Sequence, residues 1–478
     1  MRKYLVALVA VVAVAMVAAP AMADMKASGF YRSKAYLSNY NDQSGSPSLR
    51  DSEAEQSNAF VEQRFRVKFD FGSENAKAVW YLESDMIWGD SSGSAPPGAA
   101  ARNVGGALGG DKVQTETKNI YVWFKIPDTS VETTWGLQAQ KDAYKGTFYN
   151  ADLAGIFVEG KYEPISYLLG WGKLYENAEW KWDDATIYQV EVGWAPSKET
   201  KLGFNFYFLQ DSTGKPGGIG RLDPLGPSGG PGPADNYDLK LYMPGIDGSM
   251  KLGPVKLSGF IFYQTGTFES TIGDPDVDVT AYGMDLRGDL ALGPGKVFIE
   301  GLYFSGGDNP TDKYKAPITF GDFQTTSLTG PGGYAGWTSH RMIMMLPSWD
   351  TINVSQCLVG CSGGEYGDSL GNGGRGIWFI GAGYNQKIGD KMTVEANVGY
   401  LSATKLWSTN TAAGLDDSFR DKDMGTEINA GVDYSLSKGL EVGFHAGYLF
   451  LGGFVKDPPP ANDFEDAYTT IARVNYKF

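Results

Sequence analysis

The stretch VEQRFRVKFDF, residues 61–71, indicates the fold class of this chain. Its odd positions are apolar apart from Gln63, and its even positions are all charged. Alternation with a period of two is what a β-strand with two different faces requires. A soluble sandwich could contain one such strand with its charges in water, so the deciding question is whether the pattern repeats.

The pattern repeats along the chain, for example in residues 76–88 and 440–450. No long run of apolar residues has helical spacing, and no stretch after the N-terminus approaches the eighteen apolar residues of a membrane helix. About eighteen strands of some ten residues each are predicted. Their expected starts are residues 25, 59, 76, 117, 131, 153, 166, 185, 201, 236, 255, 278, 296, 376, 392, 425, 440 and 466.

The connections between these strands alternate in length. Short turns are expected at 72–75, 127–130, 163–165, 196–200, 293–295, 388–391 and 436–439, with 244–254 the loosest. Longer polar connections are expected at 41–58, 89–116, 141–152, 175–184, 212–235, 269–277, 306–375, 405–424 and 452–465. A meander across a bilayer has short periplasmic turns and long extracellular loops, and lipid tolerates no open sheet edge. The predicted fold is therefore all-β, a transmembrane antiparallel up-and-down β-barrel of about eighteen strands.

The N-terminus has the pattern of a cleaved signal peptide. Arg2 and Lys3 precede an apolar core at 5–19, and Ala21-Met22-Ala23 forms a small-x-small cleavage site before Asp24. A retained anchor is the alternative, but about fifteen apolar residues are too few to span comfortably. We therefore expect a signal peptide at 1–23 and a barrel at 24–478. Without residues 1–23 the chain has 39 basic and 56 acidic residues, which argues against nucleic acid as a partner.

The last segment, residues 468–478, resembles the C-terminal signature of Gram-negative outer-membrane proteins. It alternates and ends in Phe478, with Val474, Tyr476 and Phe478 in the outward row. The resemblance implies an outer-membrane location, lipid as surroundings, and recognition of these residues by the barrel-assembly machinery. By layout the chain resembles porins, and eighteen strands bring it near the specific-channel and alginate-export types. Residues 425–453 resemble the last hairpins of alginate-export barrels.

Strand parity predicts which side chains line the lumen. Eight basic residues fall on the first, second and last strands, which are neighbours in a closed barrel: Lys26, Arg32, Lys34, Arg64, Arg66, Lys68, Arg473 and Lys477. Seven acidic residues fall on strands twelve to seventeen: Asp285, Asp289, Glu300, Glu395, Glu427, Asp433 and Glu441, interrupted by Arg287. A basic wall facing an acidic wall would favour anionic or dipolar solutes. The alternative is a merely polar lumen in which opposite charges pair across strands, with Glu62 and Asp70 as partners.

Outward aromatic residues near strand ends fit the headgroup level of a bilayer. They are Trp88, Trp194, Tyr263, Tyr303, Tyr384, Tyr400, Tyr434, Tyr448 and Tyr476.

The connection 306–375 is far longer than a usual loop. Its apolar piece 342–346 would be unfavourable in water, so we expect the loop to fold into or over the barrel mouth; a solvated cap is the alternative. Cys357 and Cys361 lie in this loop and predict a disulfide, since no histidine is placed for a haem attachment or a metal site. No metal and no cofactor are expected.

These patterns predict an outer-membrane channel for passive diffusion of small hydrophilic solutes. The alternatives are a specific channel or exporter for an anionic saccharide or polysaccharide, and a structural or adhesive barrel. An enzyme is not expected, because His445 faces inward and His340 lies in a loop, whereas outer-membrane hydrolases use an outward Ser–His pair. A monomer and a homotrimer both stay open.

Overall fold

The structure is a computed structural model. It describes residues 24–40, 58–90, 106–110, 113, 115–176, 178, 180–214, 237–307, 313–319, 337–346, 358, 372–406, 421–456 and 464–478. No helix among these residues is long and apolar enough to cross a bilayer.

The described part of the chain contains eighteen long strands, one two-residue strand, a 3-10 helix at Asn372–Gly374 and a four-residue α-helix at Gly453–Lys456. The first nine are β1 Asp24–Ser38, β2 Asn58–Gly72, β3 Ala76–Ile87, β4 Thr115–Lys125, β5 Val131–Lys141, β6 Asn150–Tyr162, β7 Ile165–Tyr175, β8 Ala185–Trp194 and β9 Thr200–Asp211. The others are β10 Tyr237–Leu252, β11 Val255–Ser270, β12 Val277–Leu292, β13 Gly295–Phe304, β14 Lys313–Tyr314, β15 Ile377–Ile388, β16 Met392–Ala403, β17 Asp423–Ser437, β18 Leu440–Leu451 and β19 Ala467–Lys477. Every predicted start lies within three residues of an observed long strand.

The long strands form one closed antiparallel barrel. Each pairs with its neighbours in the chain, β13 pairs with β15 across the long connection, and β1 pairs with β19 to close the sheet. The short β14 lies outside this order and pairs in parallel with β12. Closure leaves no open edge, which is the condition for a sheet in lipid. The predicted fold class is confirmed.

The two ends of the barrel differ. The end at which β1 starts and β19 finishes has the eight short connections, and we call it the turn end; the other is the loop end. Tight turns need residues that adopt positive φ, and Gly293 (φ 56°) and Gly389 (φ 60°) supply them. The prediction of a loose turn at 244–254 was wrong, because β10 continues through Pro244 to Leu252 and leaves a two-residue turn. Pro244 has a Cα partner on β9 and none on β11, so its missing N–H is accommodated there.

Side chains alternate between the two faces of the sheet, as the period of two requires. The outer face is apolar and exposed, for example at Leu286 (63%), Ile299 (58%) and Phe444 (51%). The inner face carries the buried polar and charged groups, including Glu300 and Glu427, which are both 0% exposed. The predicted interface aromatics lie on the outer face; Trp88 is 53% exposed and Tyr476 is 43% exposed.

Candidate permeation pathway

The connection between β5 and β6, residues 142–149, folds around one buried carboxylate. Asp142 Oδ1 accepts the backbone N–H of Tyr144 at 2.6 Å and of Gly146 at 3.2 Å. Its Oδ2 accepts the N–H of Phe148 at 2.9 Å and of Tyr149 at 2.7 Å. The carboxylate thus satisfies four N–H groups that a buried loop would otherwise leave without acceptors.

This connection reaches across the barrel. Lys145 Nζ donates to Asp285 on β12, and also to Glu300 on β13 at 2.8 Å, although its own strands are β5 and β6. The Tyr144 ring packs on the ring of Phe262 of β11 with centroids 5.3 Å apart. Residues 142–149 therefore lie inside the lumen and contact the opposite wall.

A second segment, residues 337–346, lies against the inner wall of β16 and β17. Glu427 on β17 accepts the backbone N–H of Ile343 at 2.7 Å, of Met344 at 2.9 Å and of Met345 at 2.8 Å. Asn429 Nδ2 donates to the same carboxylate at 2.7 Å and to the carbonyl oxygen of Arg341 at 3.0 Å. This places the apolar piece 342–346 in the lumen, where its side chains are at most 2% exposed.

His340 stabilises the start of this segment in its neutral form. Its Nδ1 accepts the N–H of Met342 at 2.9 Å, and its Nε2 lies 3.0 Å from the carbonyl oxygen of Trp337, so Nε2 carries the proton. Complete burial lowers the pKa of His340 to about 4. The ring is therefore an uncharged structural link at neutral pH.

A third segment, residues 313–319, is held by a reciprocal contact with β11. Gln264 Oε1 accepts the N–H of Ile318 at 2.8 Å, and Gln264 Nε2 donates to the Ile318 carbonyl at 2.8 Å. The side chains of Tyr314 and Ile318 are buried. Three described pieces of loop thus pack inside the barrel, all against β8–β18.

The eight residues of the predicted basic wall lie on the inner face of three adjacent strands, β19, β1 and β2. Arg32 of β1 has Arg64 of β2 and Asn475 of β19 as its Cα partners, and Lys34 lies between Glu62 and Arg473. The same parity carries Lys26, Lys68 and Lys477 on the inner face. All eight predicted residues therefore point to one side of the sheet and lie on adjacent strands.

Ion pairs neutralise part of this wall, and the main partners come from β3. Arg64 makes a bidentate contact with Asp85 at 2.7 and 2.9 Å and lies 3.2 Å from Glu83. Arg66 pairs with Glu83 as well. Lys68 lies 3.2 Å from Asp70, which is on the same strand. Lys68 and Arg66 keep 32% and 17% of their side chains exposed, so the wall still presents positive charge to water.

The predicted acidic residues lie on the inner face but are covered by donors. Asp285 and Glu300 are bound by Lys145, and Arg287 bridges Asp289 at 2.8 Å and Glu300 at 3.0 Å. Arg341 of the second segment binds Glu395 at 2.6 Å. Arg473 binds Asp433 at 2.7 Å and Glu441 at 3.1 Å, and His445 lies 3.1 Å from Asp433. Glu427 accepts hydrogen bonds from backbone N–H groups, so each of the seven predicted acidic residues has a described donor.

Two carboxylates that the parity map left out lie on the inner face of β8 and β10. Glu191 accepts the hydroxyl of Tyr207 at 2.6 Å, and Asp247 accepts the Asn205 amide at 2.8 Å. Within the described residues neither has a cation within 4.0 Å, and both are partly exposed. The sequence carries a signal for the inward direction of Glu191, because this residue stands between Val190 and Val192 in an alternating strand.

The remaining predictions concern the chain ends and the cysteines. Phe478 pairs with Gly29 through N–H···O contacts of 3.0 and 3.1 Å, and its ring is outward and 47% exposed, beside Tyr476. Val474 also points outward and is 37% exposed. The signal peptide 1–23 and the disulfide of Cys357 and Cys361 lie outside the described residues and stay predictions.

Comparison with known proteins gives a structural likeness without sequence similarity. No family model and no curated protein matches the chain. The crystal structure of OccK9 (OpdG) of Pseudomonas aeruginosa aligns with a TM-score of 0.52 and 11% identity over 95% of this chain and 98% of that one. OccD1 (OprD) aligns at 0.51 and 11% identity over 96% and 97%, and OccAB4 of Acinetobacter baumannii at 0.51 and 10% over 96% and 100%. The chain therefore has the fold of the OprD/Occ outer-membrane porins, an eighteen-stranded porin-like transmembrane β-barrel.

Proposed function

We propose that the protein is an outer-membrane channel through which small hydrophilic solutes diffuse passively. The observation that carries the proposal is that charged side chains inside a closed barrel remain exposed to water. Lys68 (32%), Arg341 (32%) and Asp289 (33%) are examples from different parts of the inner wall. An enzyme is not proposed, and a purely structural barrel would have no need of hydrated charges in its interior.

The location follows from the same fold. The outer face is apolar between aromatic residues, and the OprD/Occ porins with this fold are outer-membrane proteins. We place the turn end on the periplasmic side, because short turns face the periplasm in such barrels. Export by the predicted signal peptide and insertion by the barrel-assembly machinery belong to this proposal.

For the solute, the charges of the lumen favour anionic or dipolar molecules over neutral ones. Infolded loops cover part of the wall from β8 to β18, and Arg66 and Lys68 keep exposed positive charge on the basic side. Glu191 and Asp247 supply negative charge on another wall. The field of such groups fades over about 8 Å at physiological salt, so it acts where the pore is narrow.

The first test is conductance in a planar lipid bilayer under a salt gradient. We expect ion conduction with a reversal potential of the sign that indicates anion preference. Replacing Arg32, Arg66 and Lys68 by glutamine should move the reversal potential towards cations. An unchanged potential would refute the basic wall as the selective element, and a complete lack of conductance would favour a structural or adhesive barrel.

The dipolar preference has a separate test in liposome swelling. Influx of a zwitterionic amino acid, a monocarboxylate and a neutral sugar of similar size is compared. The double variant Glu191→Gln and Asp247→Asn should slow the zwitterion and leave the monocarboxylate unchanged or faster. Equal zwitterion influx in the variant and the parent would rule out these two carboxylates as a subsite.

A further inference from the structure

Ten described lysines face the lumen within two residues of the turn-end terminus of their strands, and three of them, Lys77, Lys125 and Lys161, lie within 4.0 Å of a carboxylate. The other seven have no such partner among the described residues, and five of these seven lie outside the basic wall. The seven are Lys26 of β1, Lys201 of β9, Lys251 of β10, Lys256 of β11, Lys296 of β13, Lys387 of β15 and Lys477 of β19. Lys26 and Lys477 belong to the basic wall. The other five come from the opposite side of the barrel, so together the seven form an arc that we call the lysine ring.

The lumen-facing direction of these side chains follows from the register. Lys201 has the parity of Asn205, Lys251 that of Asp247, and Lys256 that of Phe260, which are all inner-face residues. Lys296 and Lys387 likewise share parity with inner residues of β13 and β15. Lipid headgroups are therefore not the natural partners of these ammonium groups, because the side chains point away from the bilayer.

The lysine ring also lacks internal neutralisation. Within the described residues none of the seven has a carboxylate within 4.0 Å, and all are exposed. On β2–β5 the contrast is plain, because Lys68 lies 3.2 Å from Asp70 and Lys125 lies 3.7 Å from Glu132. Asp24, Glu199 and Asp390 lie at this end too, without a contact to the ring at that distance.

Two lysines of the ring lie directly opposite each other on neighbouring strands, where their like charges repel. Lys251 and Lys256 are direct cross-strand partners on the same face of β10 and β11. Like charges directly opposite destabilise a sheet. The neighbour of Lys256 on β12 is Asp289, and that carboxylate is occupied by Arg287. An anion from solution that lies between the two ammonium groups would relieve this repulsion.

We propose that the lysine ring binds multivalent anionic solutes at the turn-end mouth of the lumen. Neighbouring strands are about 4.8 Å apart, so a molecule with several adjacent negative charges can contact ammonium groups from two or three strands at once. A monovalent anion can contact only one or two. The site itself depends on the barrel fold alone, whereas its effect on permeation rests on the proposed channel function.

Binding is tested first on the folded mature chain in detergent, with inorganic tripolyphosphate as the probe and acetate as the monovalent comparison. Calorimetry should detect binding of tripolyphosphate and no measurable binding of acetate. In the variant with Lys201, Lys251, Lys256, Lys296 and Lys387 changed to glutamine, affinity should fall about tenfold or more. The matched control changes five exposed lysines of the loop end, Lys141, Lys181, Lys313, Lys405 and Lys422, and should bind like the parent.

The second test adds tripolyphosphate to one side of single channels in a zwitterionic bilayer. Orientation is assigned by cleaving a protease site inserted between residues 215 and 236, in a connection of the loop end. Addition at the turn end should reduce the current in the parent and in the loop-end control, but several-fold less in the ring variant. No tripolyphosphate binding by the parent, or equal binding and block in parent and ring variant, would overturn the proposal. A barrel that binds the probe without conducting would refute the channel function and leave the site intact.

Discussion

The Glu427 carboxylate should hold the infolded segment 337–346 in the lumen, and its removal should open the pore. Three consecutive backbone N–H groups, of Ile343, Met344 and Met345, donate to it at 2.7–2.9 Å. Hydrogen bonds to a charged acceptor contribute about 1.5–3 kcal/mol each. In Glu427→Ala all three donors would stay buried without an acceptor, so we expect the docked segment to lose about 5 kcal/mol.

The change Glu427→Gln is milder, because it removes the charge of the side chain and keeps its size. One amide oxygen still accepts, but the NH2 group meets an N–H donor, so the loss should be about 3 kcal/mol. That corresponds to a shift of about 150-fold towards the undocked segment. Glu441→Gln is the matched control, because it removes one inner-wall carboxylate whose described partner is Arg473 and not the segment.

Single-channel recording measures the result. We expect larger conductance and more current noise in both Glu427 variants, with the alanine variant affected more, and no change in Glu441→Gln. Limited proteolysis of folded barrels should cut within 337–346 only in the Glu427 variants, and the heat-induced shift in gel mobility should show that the barrel itself is intact. Conductance and proteolysis equal to the parent in Glu427→Ala would show that side-chain packing alone holds the segment.

Three further predictions concern other contacts inside and at the seam of the barrel. Lys145→Met leaves the buried Asp285 carboxylate without its cation, whereas Glu300 keeps its ion pair with Arg287; the loss costs about 3–5 kcal/mol, so reversal potentials should move towards cations, and an unchanged potential would mean that water or another cation replaces the ammonium. Burial lowers the pKa of His340 from 6.5 to about 4, so protonation of the ring should undock its segment. The stabilisation by the neutral ring is present above pH 6.5 and is lost as the pH falls to 4. Channel noise should therefore rise across that range, and less so in His340→Gln. Gly29→Val places side-chain atoms against the backbone of β2 and the Phe478 ring, because even a Cβ at this position would lie 2.9 Å from that ring; folding yield and heat resistance in gels should drop, whereas Ala27→Val on the same face should have little effect.

Much of the fold was predictable because the information is local. A period of two over ten residues assigns a strand and both of its faces, and Gly-Pro or Gly-Asp pairs mark the turns, as at 293–294 and 389–390. The one misjudged turn, at 244–254, shows the limit. Pro244 and Gly245 signal a chain break, and only the pairing of β10 with β9 shows that the strand continues.

The candidate site was less predictable, since its electrostatics depend on contacts between distant parts of the chain. The pairing alternative named Glu62 and Asp70 as partners of the basic wall, but Arg64 and Arg66 are paired mainly with Glu83 and Asp85 of the next strand. Parity showed the direction of all these groups. Parity does not show which charged groups lie closest to one another, because the stagger between neighbouring strands is set by barrel closure.

By itself the sequence determined the number of strands, the division into an apolar and a charged face, and the neighbourhood of the first, second and last strands. These properties follow from alternation and from the closure that lipid imposes. Only the tertiary structure decided which charges stay exposed. Lys145 neutralises Asp285 from 140 residues away and Arg341 reaches Glu395 from 54 residues away, and no periodic pattern encodes a loop that crosses the lumen. For this reason four carboxylates of the acidic wall, Asp285, Glu300, Glu395 and Glu427, anchor infolded loops, whereas the other three pair with cations of the barrel strands. Exposed positive charge remains on the basic wall and on the lysine ring.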